Sequence, residues 1–493
     1  MANLGGTAPM IGWVYKHRTA KLVGVASLLT ALSLTGLHWL LTVLAFGALS
    51  LLAVIRPQVS VAIVVLGIPV QSEIMLPLLG GGITFTQLTL FSLIAGWGVV
   101  FWRRRIWLDS IVVGFLLVLA AYFISFIAVD SPSNWLEESY RWAIAGVFYV
   151  ICRSVISGWK DVRLILWAML AGVAGMTGMS MYQFAFGAES GVFMVGGSVR
   201  VYGSFGTPNP LAAYLEMTIP VLFACVPIAW FLRGEFRAHV VEKWLFILIP
   251  IGGFIIILLT QSRGGLLGIV AASIVLLWLL PRRARFSMAT LGVVVLAVFL
   301  LTAPGQSQLA RFGTLLEETN QEVGDPARSS FDVGAGRGAL WATARIMIAE
   351  NPLTGIGAGE FDENYREHVP SWIDRLPRGQ AHNVWLQMGA QAGIWGVVAY
   401  AWWFAASVWS VITARRRVVD SQRRWLMTGI LAVFAAYTVH SMVDYLNVLS
   451  LGLQLSVLTA IALNFAPEPL TRYSTVSKDS DLAQSTEIAP CPM

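Results

Sequence analysis

The sequence has few charged residues. Only 12% of its 493 residues are Asp, Glu, Lys or Arg, and 57% are apolar, whereas about a quarter of a soluble globular domain is charged. Lysine is especially scarce, with five residues in the whole chain. The apolar residues form runs of about twenty instead of the alternating ten-residue segments of a membrane β-barrel. We therefore predict an all-α polytopic integral membrane protein surrounded by membrane lipids, and we expect no nucleic-acid partner.

The chain also lacks the patterns of a disulfide framework or a metal site. Two of its three cysteines, Cys152 and Cys225, lie in apolar runs and the third, Cys491, lies near the chain end. We find no His/Cys cluster and no Asp-x-Asp pair in an outer loop, so we expect neither a metal nor a cofactor. The first twenty residues carry no cleavable signal pattern, so we expect the first apolar run to remain as a span.

Fourteen apolar runs, from 22–36 to 449–466, predict about 12 (12–14) transmembrane helices, because several runs are shorter than the roughly 20 residues that cross a bilayer. Clusters of Lys and Arg fall on alternate loops, which predicts that these loops and both termini are cytoplasmic. The predicted segments are N-terminal transmembrane helices over 1–303, a long outer loop over 304–390, C-terminal transmembrane helices over 391–466 and a disordered cytoplasmic tail over 467–493.

The long outer loop is rich in arginine. Its stretch from Pro304 to Asn383 holds seven arginines, eleven carboxylates and no lysine. Arg337, Trp341 and Arg345 are spaced by four, so on a helix they share a face, and that helix could lie on the membrane surface. A guanidinium group can bind phosphate with two parallel hydrogen bonds. We favour this role for Arg337, and pairing with the carboxylates of the same loop for most of the others.

Three polar motifs are predicted to lie at the outer N-terminus of a helix. In the first, which covers 203–210, Asn209 suits an N-cap and Pro210 the first helical position. The second covers 261–265, and the third is His382-Asn383. Free N–H groups at helix starts favour anions, so three starts that converge with arginines would form a diphosphate site.

Arg263, in the second motif, is an ionisable residue at a predicted membrane boundary. Such a residue is a candidate functional group, and Gly264 and Gly265 would allow close backbone approach beside it. The alternative is an arginine that extends to the lipid headgroups.

Histidine supplies the candidate proton acceptors. His382 could act as a general base near neutral pH, or it could be structural. His440 and Asp444 are one turn apart near the outer end of a predicted span. This pair could orient each other or a substrate, or simply pack and hydrogen-bond.

Two further arginines lie on the outer side. Arg141 is one turn from Glu137, and we interpret them mainly as an ion pair, with a substrate contact of Arg141 as the alternative. Arg200 and the adjacent Tyr202 lie in the predicted loop 187–209 and could contact sugar or phosphate.

Taken together, these motifs resemble the O-antigen ligase/polymerase superfamily over roughly residues 200–450. The resemblance rests on Gly203–Tyr214, Ser262–Gly265, Asn351–Phe361 and His382-Asn383 followed by Leu386. It implies a GT-C-like helical fold and an inverting, metal-independent glycosyltransferase. The implied donor is a glycan on undecaprenyl diphosphate at the periplasmic face of the bacterial inner membrane, and the implied acceptor is a sugar hydroxyl of lipid A–core oligosaccharide.

The resemblance also implies roles for single residues. Arg263 corresponds to the family's essential arginine before paired glycines, and Arg337 corresponds to its loop arginine ahead of a tryptophan. His382 corresponds to its loop histidine, and His440 and Asp444 correspond to a late histidine/aspartate region. Three alternatives to the ligase stay open: a polysaccharide polymerase, a protein O-oligosaccharyltransferase and, from a different class, a transporter of the lipid-linked glycan. The sequence does not indicate the oligomeric state.

Overall fold

The described part of the chain is mostly helical. The computed structural model describes residues 7–33, 39–70, 75–78, 81–101, 108–187, 194–195, 198–230, 234–279, 282–302, 305–306, 337–368, 380–447 and 450–466. The predicted disordered tail over 467–493 and four of the loop arginines lie outside these residues (Arg311, Arg328, Arg375 and Arg378).

Sixteen α-helices lie within the described residues. They are α1 (Thr7–Ser33), α2 (Trp39–Ile55), α3 (Pro57–Gly67), α4 (Phe85–Phe101), α5 (Ser110–Ser125), α6 (Pro132–Val155), α7 (Trp159–Phe186), α8 (Pro208–Trp230), α9 (Val240–Thr260), α10 (Arg263–Leu279), α11 (Arg282–Leu300), α12 (Arg337–Glu350), α13 (Phe361–His368), α14 (Val384–Arg417), α15 (Ser421–Ser441) and α16 (Leu451–Phe465). Two short antiparallel hairpins pair β1 (Met75–Leu78) with β2 (Gly81–Thr84) and β3 (Met194–Val195) with β4 (Ser198–Val199).

Five of the described helices are long and apolar enough to cross a membrane: α5 with the 3-10 turn that follows it, α7, α8, α9 and α14. Six shorter apolar helices accompany them. A bilayer requires every backbone N–H and C=O to be bonded internally, which explains why the apolar runs form helices. The count of about 12 spans stays a prediction.

Helix α8 lies at the centre of the bundle, and nearly all of its residues are buried. It packs along α15 and α9, while α10 packs along α15 and α8. Glycine allows the close contact between α8 and α15, because a Cβ on Gly429 would lie 2.9 Å from the Cα of Val221. Helices α8, α10 and α15 are therefore packed closely together.

The second half of the long loop packs as a small layer on the bundle. Helices α12 and α13 bury Leu340, Met347 and Phe361 in a cluster of their own, and α12 packs against α14. The helix predicted to lie on the membrane surface therefore covers its apolar face with protein.

The segment between α12 and α13 fixes this layer in place. Gly355, Gly357 and Gly359 all have positive φ. Ile356 N donates to Ala390 O at 2.8 Å, and Ala358 N donates to Ser125 Oγ at 3.3 Å. The loop is thus attached both to the start of α14 and to the end of α5.

Helix α14 begins earlier than hydropathy predicts. The predicted run started at 391, and the predicted loop boundary at 390 falls inside the observed helix. The polar side chains of Gln387 and Gln391 lower the mean hydropathy of the first turns, so the predicted apolar run begins later than the helix. Non-helical backbone at Ala392 and Gly393 then separates these turns from the long apolar part.

We predict that Gly359→Ala destabilises the protein by about 1–3 kcal/mol. The residue has φ +86°, and a Cβ would lie 2.6 Å from the backbone carbonyl of Asn134. Thermal unfolding in detergent, followed by tryptophan fluorescence, measures the effect. The control is Gly175→Ala in α7, where a Cβ meets open space. Equal melting temperatures for both variants would contradict the prediction.

Candidate functional site

The Asp444 carboxylate joins residues from four separate parts of the chain. It lies just beyond the end of α15 and is 2% exposed. Its Oδ1 is 2.6 Å from His382 Nδ1 and accepts a hydrogen bond from Tyr445 N. Its Oδ2 accepts a hydrogen bond from Asn209 Nδ2 at 2.7 Å and lies 3.8 Å from the Arg337 guanidinium. Asn209, Arg337 and His382, three residues predicted for the site, thus all lie next to a fourth, Asp444.

His382 is held in a defined orientation and tautomer. Its backbone has φ +48°, a left-handed conformation that histidine adopts more readily than most residues. An ionised carboxylate only accepts hydrogen bonds, so Nδ1 carries the proton and donates to Asp444. The Nε2 atom is therefore left as an acceptor on a partly exposed ring.

Asn383 caps α14, which begins at the His382-Asn383 motif as predicted. Its side-chain oxygen accepts from Trp385 N and Leu386 N at 3.0 and 3.1 Å. Its Nδ2 donates to Met442 O at 2.8 Å. Asn383 therefore ties the start of α14 to the end of α15 and supports the His382–Asp444 contact.

Asn209 has a different role from the one predicted. It lies inside α8, which begins at Pro208. The predicted N-cap at Asn209 is thus misplaced, because the side chain donates to Asp444 and the helix starts one residue earlier. The polar side chain at this helix start contributes a site contact instead of a cap.

Glu216 and His440 form a fully buried pair beneath Asp444. His440 Nδ1 lies 2.8 Å from Glu216 Oε1, and His440 Nε2 lies 4.0 Å from Asp444 Oδ2. Glu216 was not among the residues predicted for the site. A single acid inside an apolar run was the available signal, because ionisable residues within spans are candidates for function.

The glycines beside Arg263 pack against neighbouring helices. A Cβ on Gly264 would collide with the His440 ring, and a Cβ on Gly265 would lie 2.6 Å from Ala212 Cβ. The expected close approach is therefore found, but it is an approach of α10 to α15 and α8. The start of α10 thus joins the starts of α8 and α14 around His440 and Asp444.

Arg263 is the first residue of α10 and is partly exposed. Ser262 precedes it, and its Oγ accepts from Gly265 N at 3.3 Å, as an N-cap does. Arg200 lies beside this turn, since its Nε donates to Thr260 O at 2.9 Å. Two cationic side chains thus flank the junction of α9 and α10.

Tyr202 lies in the loop before α8 and is partly exposed. Its backbone N and that of Gly203 donate to Gln183 Oε1 at 3.1 and 2.9 Å. Gln183 Nε2 in turn donates to Gly203 O. Gln183, which was not among the predicted site residues, therefore fixes the loop that carries Arg200 and Tyr202.

Along α12, Arg337, Trp341 and Arg345 are less buried than the residues between them, in agreement with the predicted shared face. Arg337 contacts Asp444, Trp341 packs on the buried cluster of the loop layer, and Arg345 is exposed. Substrate contacts of Trp341 and Arg345 stay predictions.

Arg141 pairs with Glu137 and also with Glu138, at 2.5 Å each. The ion-pair interpretation therefore agrees with the structure. Glu138 Oε2 accepts a hydrogen bond from Tyr445 at 3.4 Å, and Tyr445 follows Asp444 in the chain. Arg141 thus connects to the site through two side chains.

The charges of the site favour an ionised Asp444. Burial by itself would raise the pKa of Asp444, but the hydrogen bond from His382 and the neighbouring His440 and Arg337 lower this pKa to about 2. Burial lowers the pKa of Arg337, and Asp444 partly offsets this shift. The carboxylate therefore stays charged throughout the neutral range.

Residues 245–401 match the family model described as O-antigen ligase. The match includes Arg263, Arg337 and His382. It covers less than half of the chain and leaves Glu216 and Asp444 outside. No curated protein matches the chain.

We predict that Asp444→Asn destabilises the protein by about 1–3 kcal/mol at pH 7, because the cationic and amide donors around it lose their charged acceptor. The depressed pKa contributes stability above pH 3.8 that is lost as pH falls towards 2. Melting curves from pH 7 to pH 3 should thus show a smaller acid-induced decrease for the variant. Asp362→Asn in α13 is the control, and equal profiles for Asp444→Asn and the wild type would contradict the prediction.

Proposed function

We propose that the chain is a member of the O-antigen ligase superfamily, which the match over residues 245–401 supports, and that it transfers a glycan from undecaprenyl diphosphate to a sugar hydroxyl of lipid A–core oligosaccharide. The observation that carries the proposal is the convergence of three helix starts with His382 and Arg337 around Asp444. Helix starts and arginines favour a diphosphate, and a histidine with a free Nε2 accepts a proton.

His382 receives the proton of the acceptor hydroxyl in the proposed mechanism. The hydroxyl proton passes to Nε2, while Nδ1–H stays hydrogen-bonded to Asp444. Asp444 stabilises the imidazolium that forms, as a carboxylate does in other carboxylate–histidine pairs. The hydroxyl oxygen forms a bond to the anomeric carbon from the face opposite the diphosphate, so the configuration inverts.

The bond between the anomeric carbon and the diphosphate breaks, and its electron pair leaves on the diphosphate oxygen. Arg263 and Arg337 bind this diphosphate, with Arg200 beside the start of α10 as a further cation. Fixed positive charge at the site of developing negative charge lowers the barrier, so we propose that the reaction needs no metal.

An apolar cavity offers a place for the lipid part of the donor. It has a volume of about 310 Å³ and lies between α8, α9, α10 and α11. Leu266, one turn from Arg263, lines one end, and Leu276 and Ala289 line the other. A donor whose diphosphate binds Arg263 could therefore place its isoprenoid chain here.

The proposed placement in the cell rests on the family resemblance and on the charge pattern of the loops. The resemblance implies a GT-C-like fold in the bacterial inner membrane, and the charge pattern supports an arrangement of about 12 spans with both termini cytoplasmic. The layer formed by α12 and α13 then lies on the periplasmic side, as do the starts of α8, α10 and α14. The acceptor and the donor glycan are both available on that side.

The proposal is tested with protein purified in nanodiscs in the presence of EDTA. Undecaprenyl-diphosphate glycan is supplied with or without lipid A–core, and products are identified by gel shift and mass. Product that requires lipid A–core supports the ligase. Longer lipid-linked glycan without lipid A–core indicates a polymerase, and glycan on a Ser or Thr residue of an added peptide indicates a protein glycosyltransferase. Movement of the donor across vesicles with no new glycosidic bond indicates a transporter.

We predict that Arg263→Ala lowers the transfer rate by about 100- to 1,000-fold, the effect of losing one fixed charge at a developing anion. His382→Ala should lose less if diphosphate departure limits the rate. Initial rates of the assay above measure both variants. Arg366→Ala in α13, an exposed arginine paired with Asp362, is the control. Full activity of Arg263→Ala would exclude the mechanism.

We further predict that Gly292→Trp in α11 raises the KM for the long-chain donor by about tenfold or more, because the indole fills the cavity and displaces several CH₂ groups. Gly292 lines the cavity, and a Cβ there meets open space. A donor with a chain of two isoprene units should be affected little. Gly175→Trp in α7 controls for an added tryptophan, and equal effects on both donors would contradict a tail site.

A further inference from the structure

A buried carboxylate that the mechanism above does not use lies beneath the site. Glu216 in α8 and His440 in α15 are both 0% exposed, and Oε1 of Glu216 lies 2.8 Å from Nδ1 of His440. An ionisable group inside a bundle costs free energy unless it is paired. A purely structural contact between α8 and α15 could be made by apolar side chains at lower cost.

Neither side chain has room to move. A Cβ on Gly268 would collide with the Glu216 carboxylate, and a Cβ on Gly264 would lie 2.6 Å from His440 Nε2. Helix α10 therefore has glycine at the two positions that face the pair. The backbone of α10 closes the space into which either side chain could rotate.

Hydrogen-bond geometry limits where the protons of this pair lie. One proton must lie between Glu216 Oε1 and His440 Nδ1, because two acceptors would repel each other at 2.8 Å. His440 Nε2 faces Asp444 Oδ2 at 4.0 Å, and the negative charge there favours an N–H on that nitrogen. The pair is then neutral overall and presents an N–H to Asp444, whichever partner holds the shared proton.

His440 thus lies between Glu216 and Asp444. With Asn209 and Arg337 also on the Oδ2 side, Oδ1 is left to accept from His382 and from the backbone N of Tyr445. Glu216 itself has no direct contact with His382 among the described residues. Its effect on His382 must therefore pass through His440 and Asp444.

We propose that Glu216 is a positioning residue that, through His440, holds the Asp444 carboxylate so that Oδ1 accepts the Nδ1–H of His382. The inference rests on the proposed function, since it requires His382 to receive a proton. The backbone of α10 fixes the rotamer of His440, and Glu216 fixes its tautomer. Without this partner the ring proton can lie on Nδ1, which leaves the Nε2 lone pair facing Asp444, and the carboxylate then shifts away from His382.

The first experiment measures kcat and donor KM for Glu216→Leu and Glu216→Gln in the nanodisc assay. We expect Glu216→Leu to lower kcat by about 10- to 100-fold, because small misplacements of a reacting group have large effects. Donor KM should change by less than about twofold, since the arginines are untouched. Glu216→Gln should recover most of the rate, because its amide N–H can donate to Nδ1 as a protonated acid does.

Glu242→Gln is the matched control. Glu242 is a buried carboxylate near the start of α9 that pairs with Arg163 and Trp167. The site lies at the other end of α9, beside Thr260. This variant should keep the wild-type kcat, and a loss equal to that of Glu216→Leu would show that any buried carboxylate has the same effect.

The decisive experiment combines Glu216→Leu with His382→Ala. If Glu216 acts through His382, the double variant is no slower than the slower single variant, because the group to be positioned is absent. Multiplied losses would indicate general damage to the fold and would overturn the inference. A wild-type kcat for Glu216→Leu or for His382→Ala would also overturn it.

A replacement variant and a comparison with Arg263 distinguish failure of this inference from failure of the proposed function. If Glu216→Leu does not purify as folded protein, Glu216→Asp takes its place, because it keeps the charge and shortens the reach to His440. Transfer that depends on Arg263 but not on Glu216 would leave the proposed function standing and reject only this inference. Absence of transfer by the wild-type protein would instead reject the proposed function.

Discussion

The arrangement of the site depends on one buried carboxylate. Asp444 is almost inaccessible to solvent, yet it accepts from Asn209 and His382 and lies near Arg337. A buried charge is tolerated only with such partners. The requirement acts in both directions, since the same partners position α8, α12 and α14 relative to the end of α15. Pairing the buried charge of Asp444 therefore requires the same arrangement of helices that brings the helix starts together.

Glycine residues leave the space that this arrangement of helices requires. Helix α10 approaches α8 and α15 closely because Gly264 and Gly268 leave space for an imidazole and a carboxylate. In the loop layer, Gly355 and Gly359 adopt backbone conformations that L side chains rarely reach. Small residues thus allow polar groups to lie deep in the bundle and allow a polar loop to dock tightly on apolar helices.

Much of the architecture could be predicted from the sequence, because apolar runs of this length have to form helices in a bilayer. The helix starts near Asn209, Arg263 and Asn383 could be predicted from their polar motifs, although Asn209 itself is not the N-cap. The hydropathy boundary at 391 did not coincide with the start of α14, because Gln387 and Gln391 mask the apolar character of its first turns. Glu216 was missed for a related reason: its importance comes from His440, which lies 224 residues away in the chain. No local pattern encodes a contact at that separation.

The position of Asp444 has a consequence for the order in which the chain is made. Synthesis proceeds from the N-terminus, so Asn209, Arg337 and His382 all leave the ribosome before the residue that joins them. Until α15 has been inserted and the turn after it has formed, the earlier helices lack their common acceptor. A chain cut short before this turn contains every residue that matches the family and yet has no Asp444 to assemble them. The site is therefore assembled only after α15 and the turn that follows it have been made.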